Sequence, residues 1–439
     1  MVWGSSSLRS CSSLWEKIER NDPSIVNLCI LPTKKVDKAD WDRCIQAIQR
    51  HGAERKLRSI QASGHAIDVD SLRLLSKALQ ETGKDVAWEE IAIGDSNFGD
   101  DGVEALVSAF DADTQLFSLD LSYKNLGSKG LLSLLRWASL SKTLRTLDLS
   151  RNADMTKGLV KEQFMDSSCT EFPALEVLNL SDCELEGESG AAVVSVFMPS
   201  PKLRILQISN NTLDSSVMNT LSQLPKSIVE LSLANCVLSD DMCEKLIPNL
   251  SKLESLELLD LSQNSTTAAF AAILAEELAN CFPSLKTLNL AGNPFQSSGV
   301  ATIIEKGLKP RERSLMSLDI SATKCDPEAA QLAIETSRVQ QLRLFDNALG
   351  SKGFNQLASS LHGGHSTLHV LDLAGNNADE EAVVKLLKGL LVRDAGFKSH
   401  LKTIIVGGNQ GGMVLEELIK EIKTIHPSID IARDRLRKT

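Results

Sequence analysis

Tyrosine is almost missing from this sequence, which contains one tyrosine, five tryptophans and twelve phenylalanines in 439 residues. So few aromatic side chains do not supply the closely spaced stacking surface that single-stranded nucleic acids or sugars require. Basic residues are outnumbered as well, and the net charge of −10 argues against general binding to nucleic acid or to an anionic membrane. No run of eighteen apolar residues occurs, and the first twenty residues lack the apolar segment of a secretory signal. Neither a transmembrane helix nor secretion is therefore expected.

The cysteine pattern and the missing catalytic motifs argue against enzyme chemistry. The nine cysteines are scattered, odd in number and without a C-x-x-C pair, which argues against a disulfide scaffold or a cysteine zinc site. Reduced thiols in the cytoplasm, with the nucleus as the alternative, fit this pattern better. No G-x-S-x-G, H-E-x-x-H or kinase signature is present, so the chain is predicted not to be an enzyme and to require no cofactor.

Two local patterns could suggest ligands. His362, His365 and His369 have a spacing that could hold a metal, but no acidic or thiol side chain is adjacent, and no metal site is predicted. The sequence GGNQGG at 407–412 lies between a predicted strand and a predicted helix, where a phosphate-binding loop would lie. It lacks the G-K-[ST] ending, so a glycine-rich turn is predicted there.

A nine-residue pattern, L-x-x-L-x-L-x-x-(N/C), recurs along the chain and is the signature of leucine-rich repeats. Clear copies are LRTLDLSRN at 144–152, LEVLNLSDC at 175–183, LRILQISNN at 203–211, LELLDLSQN at 256–264, LKTLNLAGN at 285–293 and LHVLDLAGN at 368–376. Weaker copies begin at Ile25, Leu57, Trp88, Leu116, Ile228, Leu315, Val339 and Leu401. These fourteen units are spaced about 29 residues apart, as expected for a stacked repeat protein.

Each unit is predicted to form one short strand and one amphipathic helix. Alternating leucines, as in Leu147-Asp148-Leu149, indicate a strand, and Leu131, Leu134 and Leu135 share one face of a following helix. One strand and one helix cannot bury both apolar faces alone, but stacked units can. We therefore expect an α/β fold, a right-handed leucine-rich-repeat solenoid (horseshoe) with parallel strands on the concave side and helices on the convex side.

The ninth template residue and the two chain ends complete the expected architecture. An asparagine there can satisfy backbone groups where the chain leaves each strand, so neighbouring copies are expected to form a ladder. Cys183 and Cys236 occupy the same position and are predicted to be structural. Residues 1–24 are predicted to be an N-terminal capping helix, 25–431 the solenoid and 432–439 a basic C-terminal tail, with a final strand near Ile429.

The repeat length, the LDLS-x-N strand and the G-x-x-x-L-x-x-L helix start resemble the ribonuclease-inhibitor-like class of leucine-rich repeats. The resemblance covers nearly the whole chain and implies a platform for protein binding. The segment EKIERNDPSIVNL is similar to the start of the tropomodulin repeat domain. That similarity implies capping of actin pointed ends as one alternative function. A Ran GTPase-activating protein shares the repeat class, which implies GTPase activation as the other.

The fifth template residue is expected to point out of the concave face. It is aspartate in five units and arginine in one, so this face is predicted to be acidic and to bind a basic protein surface. Departures from the template form two clusters, and tyrosine and arginine are favoured at interface hot spots. The candidate protein-binding residues are Tyr123, Lys124, Asp148, Arg151, Asp260, Asp319, Arg343, Phe345 and Asp346.

The spacing of the two clusters predicts the kind of partner. Adjacent strands lie about 4.8 Å apart, so Tyr123 and Arg343, eight units apart, are expected roughly 38 Å apart along the concave arc. That distance favours a folded domain over a short peptide. The chain itself is expected to be a monomer.

Overall fold

Strands and helices alternate along the chain in a computed structural model that describes residues 12–158, 171–362, 367–388, 391 and 401–433. The chain divides into two compact units, Met1–Ile228 and Val229–Thr439. In each unit the strands are parallel and lie in chain order, with helices between them. This is the α/β leucine-rich-repeat solenoid fold that the sequence predicts.

The first unit contains seven strands and seven α-helices within its described residues. Its strands are β1 (Asn27–Cys29), β2 (Ser59–Ser63), β3 (Trp88–Gly94), β4 (Leu116–Asp120), β5 (Thr146–Asp148), β6 (Val177–Asn179) and β7 (Ile205–Gln207). Its helices are α1 (Ser12–Glu19), α2 (Lys38–His51), α3 (Val69–Gly83), α4 (Gly99–Val107), α5 (Ser128–Ala138), α6 (Gly187–Phe197) and α7 (Ser215–Leu221).

The second unit contains eight strands and seven α-helices within its described residues. Its strands are β8 (Glu230–Ser232), β9 (Leu258–Asp260), β10 (Thr287–Asn289), β11 (Ser317–Asp319), β12 (Gln341–Arg343), β13 (Val370–Asp372), β14 (Thr403–Ile405) and β15 (Asp430–Ala432). Its helices are α8 (Asp240–Leu250), α9 (Ala268–Asn280), α10 (Gln296–Thr302), α11 (Pro327–Thr336), α12 (Gly350–His362), α13 (Glu380–Lys388) and α14 (Met413–Ile425).

A leucine or isoleucine in each strand contributes to the core on the helix side. Leu119, Leu147 and Leu178 are paired in register on β4, β5 and β6, and none of them is exposed to solvent. Leu131 and Leu134 of α5 are equally buried, which confirms the predicted helix face. Because side chains alternate along a strand, the residues on either side of each leucine point away from the helices. We call this side of each sheet the open face.

The asparagine ladder is confirmed and ties each repeat to the one before it. Asn264 Oδ1 accepts hydrogen bonds from the backbone N–H groups of Cys236 and Leu238 at 2.9 and 3.0 Å. Its Nδ2 donates to the carbonyl oxygens of Leu233 and Leu261, both at 2.9 Å. The asparagines at 152, 211, 293, 347, 376 and 409 also bond the preceding repeat. The ladder therefore satisfies backbone groups that each turn would otherwise leave buried and unpaired.

The ends of the described chain carry the elements expected there. Helix α1 packs on α2, where Trp15 is buried and Arg43 donates two hydrogen bonds to the carboxylate of Glu19 at 2.6 and 3.1 Å. A final strand, β15, pairs with β14, as predicted near Ile429. The capping role of 1–24 and the boundaries of the tail stay predictions, and residues 1–11 and 434–439 lie outside the described part.

Candidate functional site

The aspartates of the open face have a structural role as well as a charge. The backbone N–H of Ser150 donates to Asp148 Oδ1 at 2.8 Å, and that of Ser262 donates to Asp260 Oδ1 at 2.9 Å. The second oxygen of Asp148 accepts from Asn179 Nδ2 at 3.0 Å, a contact from the next strand. These carboxylates therefore close the turn after each strand, and what they offer a partner is chiefly negative charge.

In the first unit, Tyr123 and Arg151 protrude from two adjacent turns. Both residues have left-handed backbone conformations, with φ of 56° and 61°. The N–H of Tyr123 donates to Ser150 O and that of Arg151 to Ser181 O, both at 2.9 Å, so the turns are held in register. The tyrosine side chain is 63% exposed, and Arg151 is exposed beside it. The structure thus brings these two predicted residues together in one protruding surface.

A left-handed conformation is costly for residues of this kind. For an L-residue it costs roughly 1–2 kcal/mol, and it is a genuine outlier for a bulky side chain. The equivalent turn position has a positive φ in other repeats as well. It holds asparagine at 210 and 235 and glycine at 292, 375 and 408, which tolerate this conformation, but also Asp182, Gln263, Ala322 and Asp346. The Tyr123 side chain is mostly exposed to solvent, so its packing does little to offset the free-energy cost of the left-handed backbone. Strained, exposed residues of this kind are characteristic of functional surfaces.

Lys124 does not belong to the exposed surface, which corrects its assignment as a partner-contacting residue. It occupies the ladder position and is only 2% exposed. Its Nζ donates to Ser122 O at 3.0 Å and to Ser63 Oγ at 3.3 Å, two repeats away along the sheet. Burial lowers the pKa of this ammonium group, although nearby Asp120 and Asp95 oppose the shift. A long side chain at a ladder position turns inward because backbone and hydroxyl acceptors lie there.

In the second unit, Arg343 and Phe345 are half-buried members of the other predicted cluster. The Arg343 guanidinium lies 3.8 Å from Asp319 Oδ2, and Asp319 is itself 5% exposed, so little of this predicted contact residue is open to a partner. The ring of Phe345 lies over Gly375, where a Cβ atom would approach it to 2.8 Å. Asp346 is exposed at the following left-handed turn, with φ of 55°.

Sequence reasoning missed two further exposed features. In the first unit the guanidinium of Arg145 lies 5.0 Å from the centre of the Phe117 ring, and it lies 3.9 Å from Glu176. In the second unit Val237, a β-branched residue with φ of 57°, is 57% exposed. The available signal for Val237 was a β-branched residue at a turn position that asparagine occupies at 125 and 377.

The described residues show no alternative chemical centre. Within them no three metal-ligating side chains come together, and no helix is long and apolar enough to cross a membrane. His365 and the side chain of His362 lie outside the described part, and His369 Nδ1 is 2.7 Å from Thr367 O. Burial raises the pKa of Cys183 to about 12, as expected for a structural thiol rather than a nucleophile. Asn409 of the glycine-rich turn belongs to the ladder.

The fold, the ladder and the open face define a leucine-rich-repeat protein. A leucine-rich-repeat family model matches residues 283–303. The chain is 25% identical to ribonuclease inhibitor of Mus musculus over 374 residues, covering 76% of this chain and 80% of that protein. It is 26% identical to ribonuclease inhibitor of Sus scrofa, covering 69% and 65%. The predicted resemblance of the chain to ribonuclease-inhibitor-like leucine-rich-repeat proteins is therefore confirmed.

A third relative shows that these repeats also occur in much larger proteins. The chain is 27% identical over 352 residues to NACHT, LRR and PYD domains-containing protein 12 of Mus musculus. The match covers 78% of this chain but 32% of that protein. The chain therefore spans about a third of the length of this relative.

Proposed function

We propose that this chain is a non-catalytic protein-binding scaffold or regulator that holds its partner on the open face. The observation that carries this proposal is the pair Tyr123 and Arg151, which are bulky, exposed and held in left-handed turns side by side. Tyrosine and arginine dominate interface hot spots, because both supply large contact area and directed polar groups. Relatives named for inhibiting ribonuclease support a protein as the ligand.

The partner is a folded domain with a basic surface. Asp148 and Asp260 place carboxylates on the open face of their units while their hydrogen bonds close turns. Such charges steer an oppositely charged partner, and salt screens them, so association should weaken as ionic strength rises. The Arg343–Phe345 surface of the second unit is a further contact of the same kind. The seven described cysteines are free, which supports the proposed cytoplasmic location.

Site-specific photo-crosslinking tests this assignment. A photoreactive amino acid at position 123 should capture a protein, whereas one at Leu140, on the helix side of the same unit and 56% exposed, should not. The captured protein, once purified, should bind Tyr123→Ala about 10–100-fold more weakly than the parent chain. Equal capture at both positions, or unchanged affinity, would show that the working surface lies elsewhere.

The same experiment separates the two alternative functions. If the captured protein is a Ran-type GTPase and the chain accelerates its hydrolysis of GTP, the chain is a GTPase activator and not a scaffold. If actin is captured at position 123 and filaments grow more slowly at their pointed ends, the chain is a capping protein.

A further inference from the structure

Exposed basic side chains collect at the edge of the first unit where strands begin, although the net charge of the chain is −10. Three segments, 139–145 before β5, 198–204 before β7 and 222–228 after α7, contain bases and no acid. Their exposed bases, which we call the basic rim, are Lys142, Arg145, Lys202, Arg204 and Lys226. The described part of the connection before β6 adds two acids, Glu171 and Glu176, so the local charge stays positive.

Backbone hydrogen bonds hold three residues of this edge side by side. The N–H of Glu176 donates to Arg145 O and that of Arg204 donates to Glu176 O, both at 2.8 Å. Neighbouring strands are about 4.8 Å apart, so the two arginines are roughly 10 Å apart along the edge, with one carboxylate between them.

The head group of Arg145 is ordered before any partner binds. It lies 5.0 Å from the centre of the Phe117 ring and 3.9 Å from Glu176 Oε1, while its side chain remains 59% exposed. Guanidinium and carboxylate groups form paired hydrogen bonds, and a side chain that is already restricted loses less entropy on binding. Arg204 is exposed on the other side of Glu176 and forms no ion pair within the described residues. The edge therefore offers two arginines to an acidic ligand.

The open face beside the basic rim is apolar and then becomes acidic. Val177 and Ile205 are paired in register at the starts of β6 and β7, and both are half-buried. At the other end of the face, Asp120 and Asp148 end β4 and β5, and Asp182 is exposed in the turn after β6. The first unit thus presents positive charge where its strands begin and negative charge where they end.

We propose that the basic rim binds an acidic segment of the protein partner, whose basic surface lies against the aspartates at the strand ends. This inference rests on the proposed function and gives the partner an orientation. Six residues separate Arg145 from Arg151, which is at most about 20 Å of extended chain and is within the span of a folded domain. A nucleic acid of that length would meet the aspartates, so an acidic polypeptide is the occupant that the charges favour.

Fluorescence polarisation with a labelled peptide, Glu-Glu-Ile-Glu-Glu-Ile-Glu-Glu, tests the basic rim without the partner. At about 0.15 M salt the Debye length is about 8 Å, so the distant aspartates are largely screened. The parent chain should bind the peptide, and Arg145→Ala with Arg204→Ala should bind it about tenfold more weakly. The matched control is Arg73→Ala with Arg136→Ala, which removes the same charge from exposed positions on α3 and α5 and should bind as the parent chain does.

A second variant should strengthen binding, which a merely unfolded chain would not do. Glu176→Gln removes the carboxylate between the two arginines and should raise peptide affinity about two- to fivefold. No binding to the parent chain, or equal binding by the parent chain and the double variant at 145 and 204, would overturn the proposal. Tighter binding of an oligouridylate through the same two arginines would overturn it in favour of a nucleic-acid surface. Capture at position 123 tests the proposed function separately, so the two failures can be distinguished.

Discussion

Replacing Tyr123 by glycine and by alanine should separate backbone strain from side-chain contacts. Both variants lose the same ring, so the difference between them depends on the left-handed conformation at φ of 56°. Alanine keeps the Cβ atom and its penalty of roughly 1–2 kcal/mol, whereas glycine does not. Glycine costs about 0.5–1 kcal/mol more in chain entropy. We therefore expect Tyr123→Gly to be more stable than Tyr123→Ala by about 0.5–1 kcal/mol.

Urea unfolding followed by tryptophan fluorescence measures this stability difference in the first compact unit, which contains Tyr123. All five tryptophans lie within Met1–Ile228, so the signal reports only on the unit that contains Tyr123. Ser122 provides the matched control, since it is the preceding residue and does not have a positive φ. There the order should reverse, with Ser122→Gly less stable than Ser122→Ala. Both Tyr123 variants should lose partner affinity equally.

An alanine variant at 123 as stable as the glycine variant would refute the strain argument. The tyrosine would then be an ordinary exposed residue, and its left-handed turn would give no reason to assign function to it. The proposed binding role of Tyr123 would then rest only on the crosslinking and binding experiments.

Three further expectations concern the ladder, the thiols and one helix cap. Asn264→Ala should destabilise the second unit by about 3 kcal/mol or more in urea unfolding followed by circular dichroism, because four buried backbone groups lose partners. Asn264→Cys should recover part of that loss, and an alanine variant without any loss would contradict the ladder's role. Exposed Cys281 should react with a thiol reagent at pH 8 well before Cys243, whose pKa burial raises to about 12; equal rates would contradict this. Asp68→Ala should cost about 1 kcal/mol at pH 7, because Asp68 caps α3. Hydrogen bonds from Ser71 lower the pKa of Asp68 from 3.8 to about 2, so this difference should shrink as the pH falls from about 4 toward 2 and should not grow.

The repeat architecture could be predicted because one pattern determines several layers of the structure. A strand leucine with a polar residue on either side must face the helices, and Leu147, between Thr146 and Asp148, does so. The asparagine three residues after the last leucine, as at Asn152, has backbone donors and acceptors within reach in every repeat. These are local relations repeated at fixed spacing, so they can be recognised without a structure.

The candidate site was harder to predict because it depends on contacts between repeats. Lys124 was assigned to the surface, yet its ammonium group reaches Ser63, 61 residues earlier in the chain. No pattern within one repeat shows that acceptor. The left-handed turn of Tyr123 was easier to predict from the sequence, since Asn210, Gly292 and Gly375 at the same template position indicate a positive φ.

The direction of the ladder bears on how such a chain can change its length in evolution. Each asparagine serves the backbone of the preceding repeat, and Asn264 and Asn211 accept from two backbone donors at the same two places. Asn293 instead accepts from the N–H and the hydroxyl of Thr266 in the preceding repeat. Loss or duplication of one whole unit leaves every remaining asparagine with an equivalent neighbour. Loss of half a unit leaves unpaired backbone groups in the core. Repeat number in proteins of this fold should therefore vary in whole units, while insertions of a few residues collect in the helical segments, such as the π-helical turn at Ile303–Leu308.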